Sequence, residues 1–344
     1  MSKTRASIIT LLFSLILIPF SGVKAQSVDP DLQFFEGKTV TLVVATKAGG
    51  GYDAYARMAV PYIKKYLPKS TVIVKNVPGA GHIIGANEVF RSKPDGLTFG
   101  MANYKGLIVS QLVGVEGIKY DLNKFSWLAN VASEPQVLII REKAPYKSMN
   151  DLKTSKKPII MGAAGVGSSS YNYSLMVSKV VGFPVNIVAG YGGSEVDMAM
   201  MRGEVDGQFG AYDNLRPLID NKEARILLVI SKSKMREYPE VPLLSAFVGP
   251  ENQDLANLMY AMAELGRPIA APPNMPPGRL RVLRDAVEKA FKDPELLTIS
   301  TKIKLPISYI SGEATRQLMV DALKQPPQVV DLLKKLAEEE AKQK

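Results

Sequence analysis

TVTLVVATKAGGGYDAYARMAVPYIKKYL, residues Thr39 to Leu67, joins an apolar run to a triple glycine and then to a stripe of helical period. Thr39 to Ala45 is β-branched and apolar on both faces, the pattern of a strand buried in a parallel sheet. Gly49, Gly50 and Gly51 end the strand and permit positive φ and close backbone approach. Asp53 falls where a helix N-cap or first-turn carboxylate belongs. Tyr55, Met58, Ala59, Tyr62, Ile63 and Tyr66 then recur at helical spacing, with Pro61 placed to kink the helix. A glycine turn that opens a helix presents backbone N–H groups, so it can hold a carboxylate or phosphate without a basic side chain. An isolated turn of this kind is commonly only a turn, which makes a second copy informative.

Thr71 to Asn76 reads as a second strand, the Gly79 and Gly81 turn as the entry to a helix running to Arg91, and Leu97 to Met101 as a third strand. Asn103 and Tyr104 follow that strand on the rim that carries the triple glycine. From Pro158 the pattern restarts. PIIMGAAGVGSSSYNYSLM echoes the first strand, turn and helix, VNIVAGYGGSEVDMAMMRG echoes the second, and DGQFG parallels DGLTFG, each displaced by roughly 110 residues. That period is too long for a solenoid and predicts two related βαβαβ lobes with a cleft between them. The ends of the parallel strands face that cleft. There Gly165, Gly167, Ser168, Ser169 and Ser170 form the counterpart of the first loop, and Tyr191 and Asp213 follow later strands on the same rim. Gln136 to Arg141 and Arg267 to Pro273 are expected to be the extended crossings that join the lobes. The predicted domains are residues 34–138 with 262–344, and 139–261.

Lys3 and Arg5 precede an apolar run from Ile8 to Phe20 and the small residues Val23 and Ala25, the pattern of an export signal cleaved after Ala25. The remainder is long enough for two domains with real cores. The chain has no Cys, so an exported form has neither disulfides nor a lipid-attachment cysteine and is expected free in the periplasm and monomeric. The formal charge of +10 favours anionic small molecules, but the basic residues are scattered rather than interleaved with aromatics, which excludes a nucleic-acid surface.

Other chemistries fit poorly. Gly79, Gly81 and Gly85 depart from the dinucleotide fingerprint, and no acidic residue ends the next strand. Gly192-Gly193-Ser194-Glu195-Val196 lacks the last glycine of a nucleophile elbow. His82 is the single histidine, so a catalytic triad would have to use it, although a histidine just after a glycine turn is more often a helix-start residue; a Cys/His metal site is excluded by count, and no acidic cluster has calcium-loop spacing. No cofactor, metal or catalytic residue is expected. The competing functions are a binding receptor, an enzyme acting on a carboxylated metabolite, and a ligand-sensing subunit for a membrane kinase.

AGGGYDAYAR at 48–57, NVPGAGHIIGAN at 76–87, PDG at 94–96, YGGSEVDMAMMRGEVDG at 191–207 and GRPIAAPP at 266–273 resemble the tripartite tricarboxylate transporter receptors, the Bug-type extracytoplasmic solute-binding proteins. The resemblance runs from about Phe34 to Leu336, with the motifs in family order. It implies an α/β, two-lobed periplasmic binding protein of the type II flytrap class, each lobe a mostly parallel sheet flanked by helices. It also implies a non-enzymatic receptor that delivers a small carboxylate to membrane permease subunits. The family holds the carboxylate largely with backbone groups of two loops, which map onto Ala48, Gly49, Gly50, Gly51, Tyr52 and Asp53 and onto Gly165 to Ser170. Asn103, Tyr104, Tyr191 and Asp213 complete the expected pocket. The chain departs from the family at Ala45-Thr46-Lys47-Ala48, Tyr52 and Tyr171. Two added aromatics are expected to shrink the pocket and Lys47 to add charge, so citrate is not assumed.

Overall fold

The computed structural model describes residues 29–192 and 194–341, and the expected export signal lies outside them. Among the described residues eleven strands form two sheets: β1 (Thr39–Val44), β2 (Thr71–Asn76), β3 (Thr98–Met101), β4 (Ser126–Asn130), β5 (Gln136–Arg141), β6 (Ile159–Ala163), β7 (Val185–Ala189), β8 (Gly207–Ala211), β9 (Ala224–Ile230), β10 (Pro268–Ala271) and β11 (Ile310–Ser311). The first sheet has the order β2-β1-β3-β10-β4-β11 and the second β7-β6-β8-β5-β9. The sequence echo is therefore a topological one. β1 pairs parallel with β2 and β3, and β6 pairs parallel with β7 and β8.

The sheets are mixed rather than mostly parallel. β10 lies antiparallel between β3 and β4, and β5 lies antiparallel between β8 and β9. Each of these is the strand laid down directly after the chain crosses from the other lobe. It enters its sheet from the cleft and runs away from it, opposite to the three parallel strands, whose carboxyl ends point toward the cleft. The predicted boundary at 138 and 139 accordingly falls inside β5. Val137 to Ile140 are fully buried, and four consecutive apolar residues need cover on both faces, which only a position inside a sheet supplies. The passages between lobes are the shorter links at 131–135 and 265–267.

Those links are not the only connection. The helix Gln253–Glu264 and the carboxyl-terminal helix Pro327–Ala341 both pack on Tyr104–Val113 of the first lobe and Ser169–Val181 of the second. One apolar core runs through these helices from Val43 and Ala45 to Leu138 and Met161. Pro61 lies inside the single helix Gly51–Tyr66 without dividing it. Among the described residues no helix is long and apolar enough to cross a membrane.

Where the lobes meet, glycine faces glycine. A Cβ on Gly106 would lie 2.6 Å from the Gly167 carbonyl oxygen and 3.0 Å from the Ser169 nitrogen, and one on Gly81 would lie 2.4 Å from the Val166 carbonyl oxygen. Gly106 sits inside a helix, where alanine is intrinsically better by about 1 kcal/mol. Gly106→Ala is nonetheless expected to destabilise the protein by about 1–3 kcal/mol in urea melts, the usual cost of overpacking against backbone that cannot yield. A stabilised variant would show that the loops do not meet in solution.

Candidate functional site

The two loops differ in how they use their helix starts. Gly50, extended at φ −90° and ψ 173°, precedes the helix Gly51–Tyr66 and has no side chain to cap it. Asp53 serves that helix instead: one carboxylate oxygen accepts the Gly49 N–H at 3.0 Å and the Arg57 Nε at 2.9 Å, and the other accepts the Asn76 amide at 2.9 Å. Burial alone would raise its pKa, and these hydrogen bonds outweigh it and hold the carboxyl below its ordinary value. In the second loop Ser168 caps the helix Ser169–Val181 by accepting the Tyr171 N–H. Ser170 accepts the Ala164 N–H at 3.2 Å. Asn103 donates to Ser169 Oγ across the cleft at 2.6 Å.

A cavity of about 630 Å³ lies between the lobes. Of the residues expected from sequence, Gly50, Gly51, Tyr52 and Asn103 line it from one side and Gly165, Ser169, Ser170 and Tyr191 from the other. The others stand apart from it. Ala48 and Gly49 are exposed, and Gly49 borders a neighbouring cavity. Asp53 and Ser168 are consumed by their helix caps, and Gly167 packs on Gly106. Tyr104 turns into the core, its ring 4.8 Å from that of Trp127 and 5.9 Å from that of Phe125. Asp213 borders a neighbouring cavity with Arg216 and Lys304, where burial and then the Glu134 charge push its carboxyl up to about 6. Tyr171, expected to shrink the pocket, packs with Leu175 and Ile187 instead. Lys47 spans the cleft to Glu195 at 3.0 Å, so its charge is already matched.

Several lining residues were not read from sequence: the Pro78 to His82 turn, Lys105, Gln136, Gln208, Asn214 and Arg267. The turn and the Gly-Arg-Pro motif were visible as patterns but not as cavity walls. Lys105 offered only a weak signal, a lysine inside the otherwise burial-prone MANYKGLIV. His82 is buried in a left-handed conformation at φ 82°. Its Nδ1 lies 2.8 Å from the Ala45 carbonyl oxygen, which assigns the proton to Nδ1. Burial depresses its pKa against that hydrogen bond, so the ring stays neutral at pH 7 and presents an unpartnered Nε2.

Two cations dominate the electrostatics. Arg267, 1% exposed, meets Glu134 at 3.3 Å and the Asn214 side-chain oxygen at 3.1 Å. Its guanidinium stacks 4.3 Å from the Tyr52 ring centre and 4.9 Å from that of Tyr55. The Tyr52 hydroxyl donates to the Gly266 carbonyl at 3.2 Å, and burial, ahead of the opposing Arg267 charge, pushes its phenol up to about 12. Lys105, 2% exposed on the first turn of Tyr104–Val113, also lines the cavity. Burial pulls its ammonium down to about 7, against the attraction of Glu134 and with the help of Arg267. Among the described residues no aspartate or glutamate lines the cavity. The arrangement suits an anion.

Glu134→Gln should destabilise the fold by about 3–5 kcal/mol in urea melts, because it strands the buried Arg267 charge; loss of less than about 1 kcal/mol would mean the pair is solvated in solution. Lys105 should make the stability depend on pH. Its ordinary value is 10.5 and its folded value about 7, so between them the unfolded chain binds the extra proton and stability rises with pH. The burial cost of the charged form is complete below pH 7. Lys105→Met should therefore be more stable than wild type by a few kcal/mol below that pH, on the scale of about 1.4 kcal/mol for each tenfold loss of proton affinity on folding, with the advantage shrinking toward pH 10.5. A difference that is flat across this range would refute the assignment.

A UPF0065 protein of Bordetella bronchiseptica is 25% identical over 317 residues, spanning 90% of this chain and 87% of its own. The periplasmic binding protein BugD superposes with a TM-score of 0.70 at 21% identity, over 87% of this chain and 97% of its own. MatC from Rhodopseudomonas palustris with bound malate superposes with a TM-score of 0.70 at 20% identity, over 87% and 99%. The shared architecture is that of the periplasmic binding proteins. The tripartite tricarboxylate transporter family receptor model matches residues 55–334, and with so much of the chain covered, the protein belongs to that receptor family.

Proposed function

We propose that this protein is a receptor that captures a small carboxylate in the cleft between its lobes and hands it to the permease subunits of a tripartite tricarboxylate-type transporter. The observation that carries the reading is the interlobe cavity, lined from both sides by helix-opening loops and by cationic side chains, with no acidic residue among the described ones that line it. Helix starts and buried cations each favour an anion, and their convergence on one cleft of ligand size is what a carboxylate receptor requires. The malate bound by a structural neighbour is of the same chemical class. Export to the periplasm by cleavage after Ala25, with the soluble monomer as the working form, belongs to the same proposal.

Capture also asks for a loaded form that differs from the empty one. The Asn103–Ser169 and Lys47–Glu195 bridges are contacts that a ligand spanning the cleft would reinforce, favouring the closed arrangement by whatever contacts an open one lacks. The bridging helices limit how far the lobes part.

A thermal-shift screen tests the reading. At about 100 times Kd a ligand stabilises the folded state by about 2.7 kcal/mol, so a bound carboxylate should raise the melting temperature clearly. Stabilisation by neutral sugars alone, with carboxylates inert, would sink the proposal.

A further inference from the structure

Of the cations lining the cavity, Lys47 is neutralised by Glu195 at 3.0 Å and Arg267 by Glu134 at 3.3 Å. Lys105 is different. Its side chain is 2% exposed, yet among the described residues its ammonium has neither a carboxylate nor a hydrogen-bond acceptor. A buried ammonium left unpaired is strongly unfavourable, and the open side of this one is the cavity. Among the described residues the rest of the wall carries no second unpaired cation: it is built from amides such as Gln136, Gln208 and Asn214 and from apolar groups such as Val196 and Phe209. With Lys105 protonated, the site thus holds one positive charge in excess.

We propose that Lys105 is the charge partner of the bound solute, and that the site therefore selects a solute placing a single carboxylate in the cavity over di- and tricarboxylates. The proposal rests on the receptor reading above and adds to it the valence of the ligand. A second carboxylate would meet only neutral donors, the helix-start N–H groups and the side-chain amides, with no formal charge to offset its desolvation.

Pairing with a carboxylate restores the lysine to its charged form, so capture above neutral pH takes up a proton. The other ionisable groups around the cavity are Lys47 with Glu195, Arg267 with Glu134, Tyr52, His82 and Tyr191, with Asp213 in the neighbouring cavity. His82 is kept neutral by burial, Tyr52 is pushed up to about 12 and Asp213 up to about 6, which leaves Lys105, at about 7, to take the proton.

Titration calorimetry on the exported chain, with hexanoate against adipate and benzoate against terephthalate as matched probes, decides the matter. In at least one pair the monoacid should bind about tenfold or more tightly than the diacid, and Lys105→Met should lose about tenfold or more of that affinity while keeping its circular dichroism spectrum. Wild type should take up close to one proton at about pH 8.5 and almost none at about pH 5.5, read from buffers of different ionisation enthalpy. Tighter binding of the diacid in both pairs, undiminished affinity in Lys105→Met, or no proton uptake at the higher pH each overturns the proposal and leaves the receptor reading standing. No heat from any of these carboxylates, nor from malate or citrate, counts against the receptor reading itself and takes this proposal with it.

Discussion

The ion pair between Arg267 and Glu134 sits where both passages between the lobes converge. Glu134 belongs to the link that leaves β4, and Arg267 to the link that enters β10. Their backbones are laced together as well: Val131 N–H donates to Arg267 O, Arg267 N–H donates to Ala132 O, and the Asn130 side chain accepts from Arg267 N–H at 2.8 Å. The guanidinium then stacks on Tyr52 and Tyr55 of the first-loop helix and reaches Asn214 of the second lobe. Such a pair is weak evidence for stability in itself, because removing two charges from water costs about what their attraction returns. Its consequence is positional. It fixes the floor of the cavity and couples that floor to the links about which the lobes would move.

Everything above that floor depends on close approach. The parallel strands of each lobe end at the cleft, and their loops touch backbone to backbone where Gly81 meets Val166 and Gly106 meets Gly167, so that a Cβ on Gly81 or Gly106 would not fit. Gly51 also faces the other lobe, where a Cβ would lie 2.3 Å from the Asn214 side chain and that side chain would have to move. The glycines thereby do two things at once. They free N–H groups at helix starts, and they let two lobes come within hydrogen-bonding distance, as in the Asn103–Ser169 bridge at 2.6 Å. The bridging helices add an apolar core shared by both halves, so the molecule is less like two bodies on a thread than like two sheets pinned along one side.

The family resemblance implied a carboxylate held largely by backbone groups. Here the first loop has spent part of that capacity on its own Asp53, which occupies the Gly49 N–H. The cavity gains in exchange two buried cations from positions outside both loops. Under the receptor proposal, that would shift the weight of recognition from backbone dipoles toward formal charge.

What the sequence determined by itself is the repeating architecture and its glycine loops. The strand-turn-helix units are local, written in β-branched runs, positive-φ glycines and helical periods, and their recurrence after roughly 110 residues predicts two related βαβαβ lobes, whose β2-β1-β3 and β7-β6-β8 orders the structure supplies. The strand directions of β5 and β10, the bridging helices and most of the cavity wall were not. Whether Tyr104 or its neighbour Lys105 faces the cleft is a matter of helix phase, which depends on how the helix seats against Trp127 and the opposing loop. Whether Arg267 is a free cation or a paired one depends on Glu134, 133 residues away along the chain. Charge pairing and desolvation are properties of neighbours in space, so only the tertiary structure could decide which of the chain's many basic residues is the one left unpaired in the cavity.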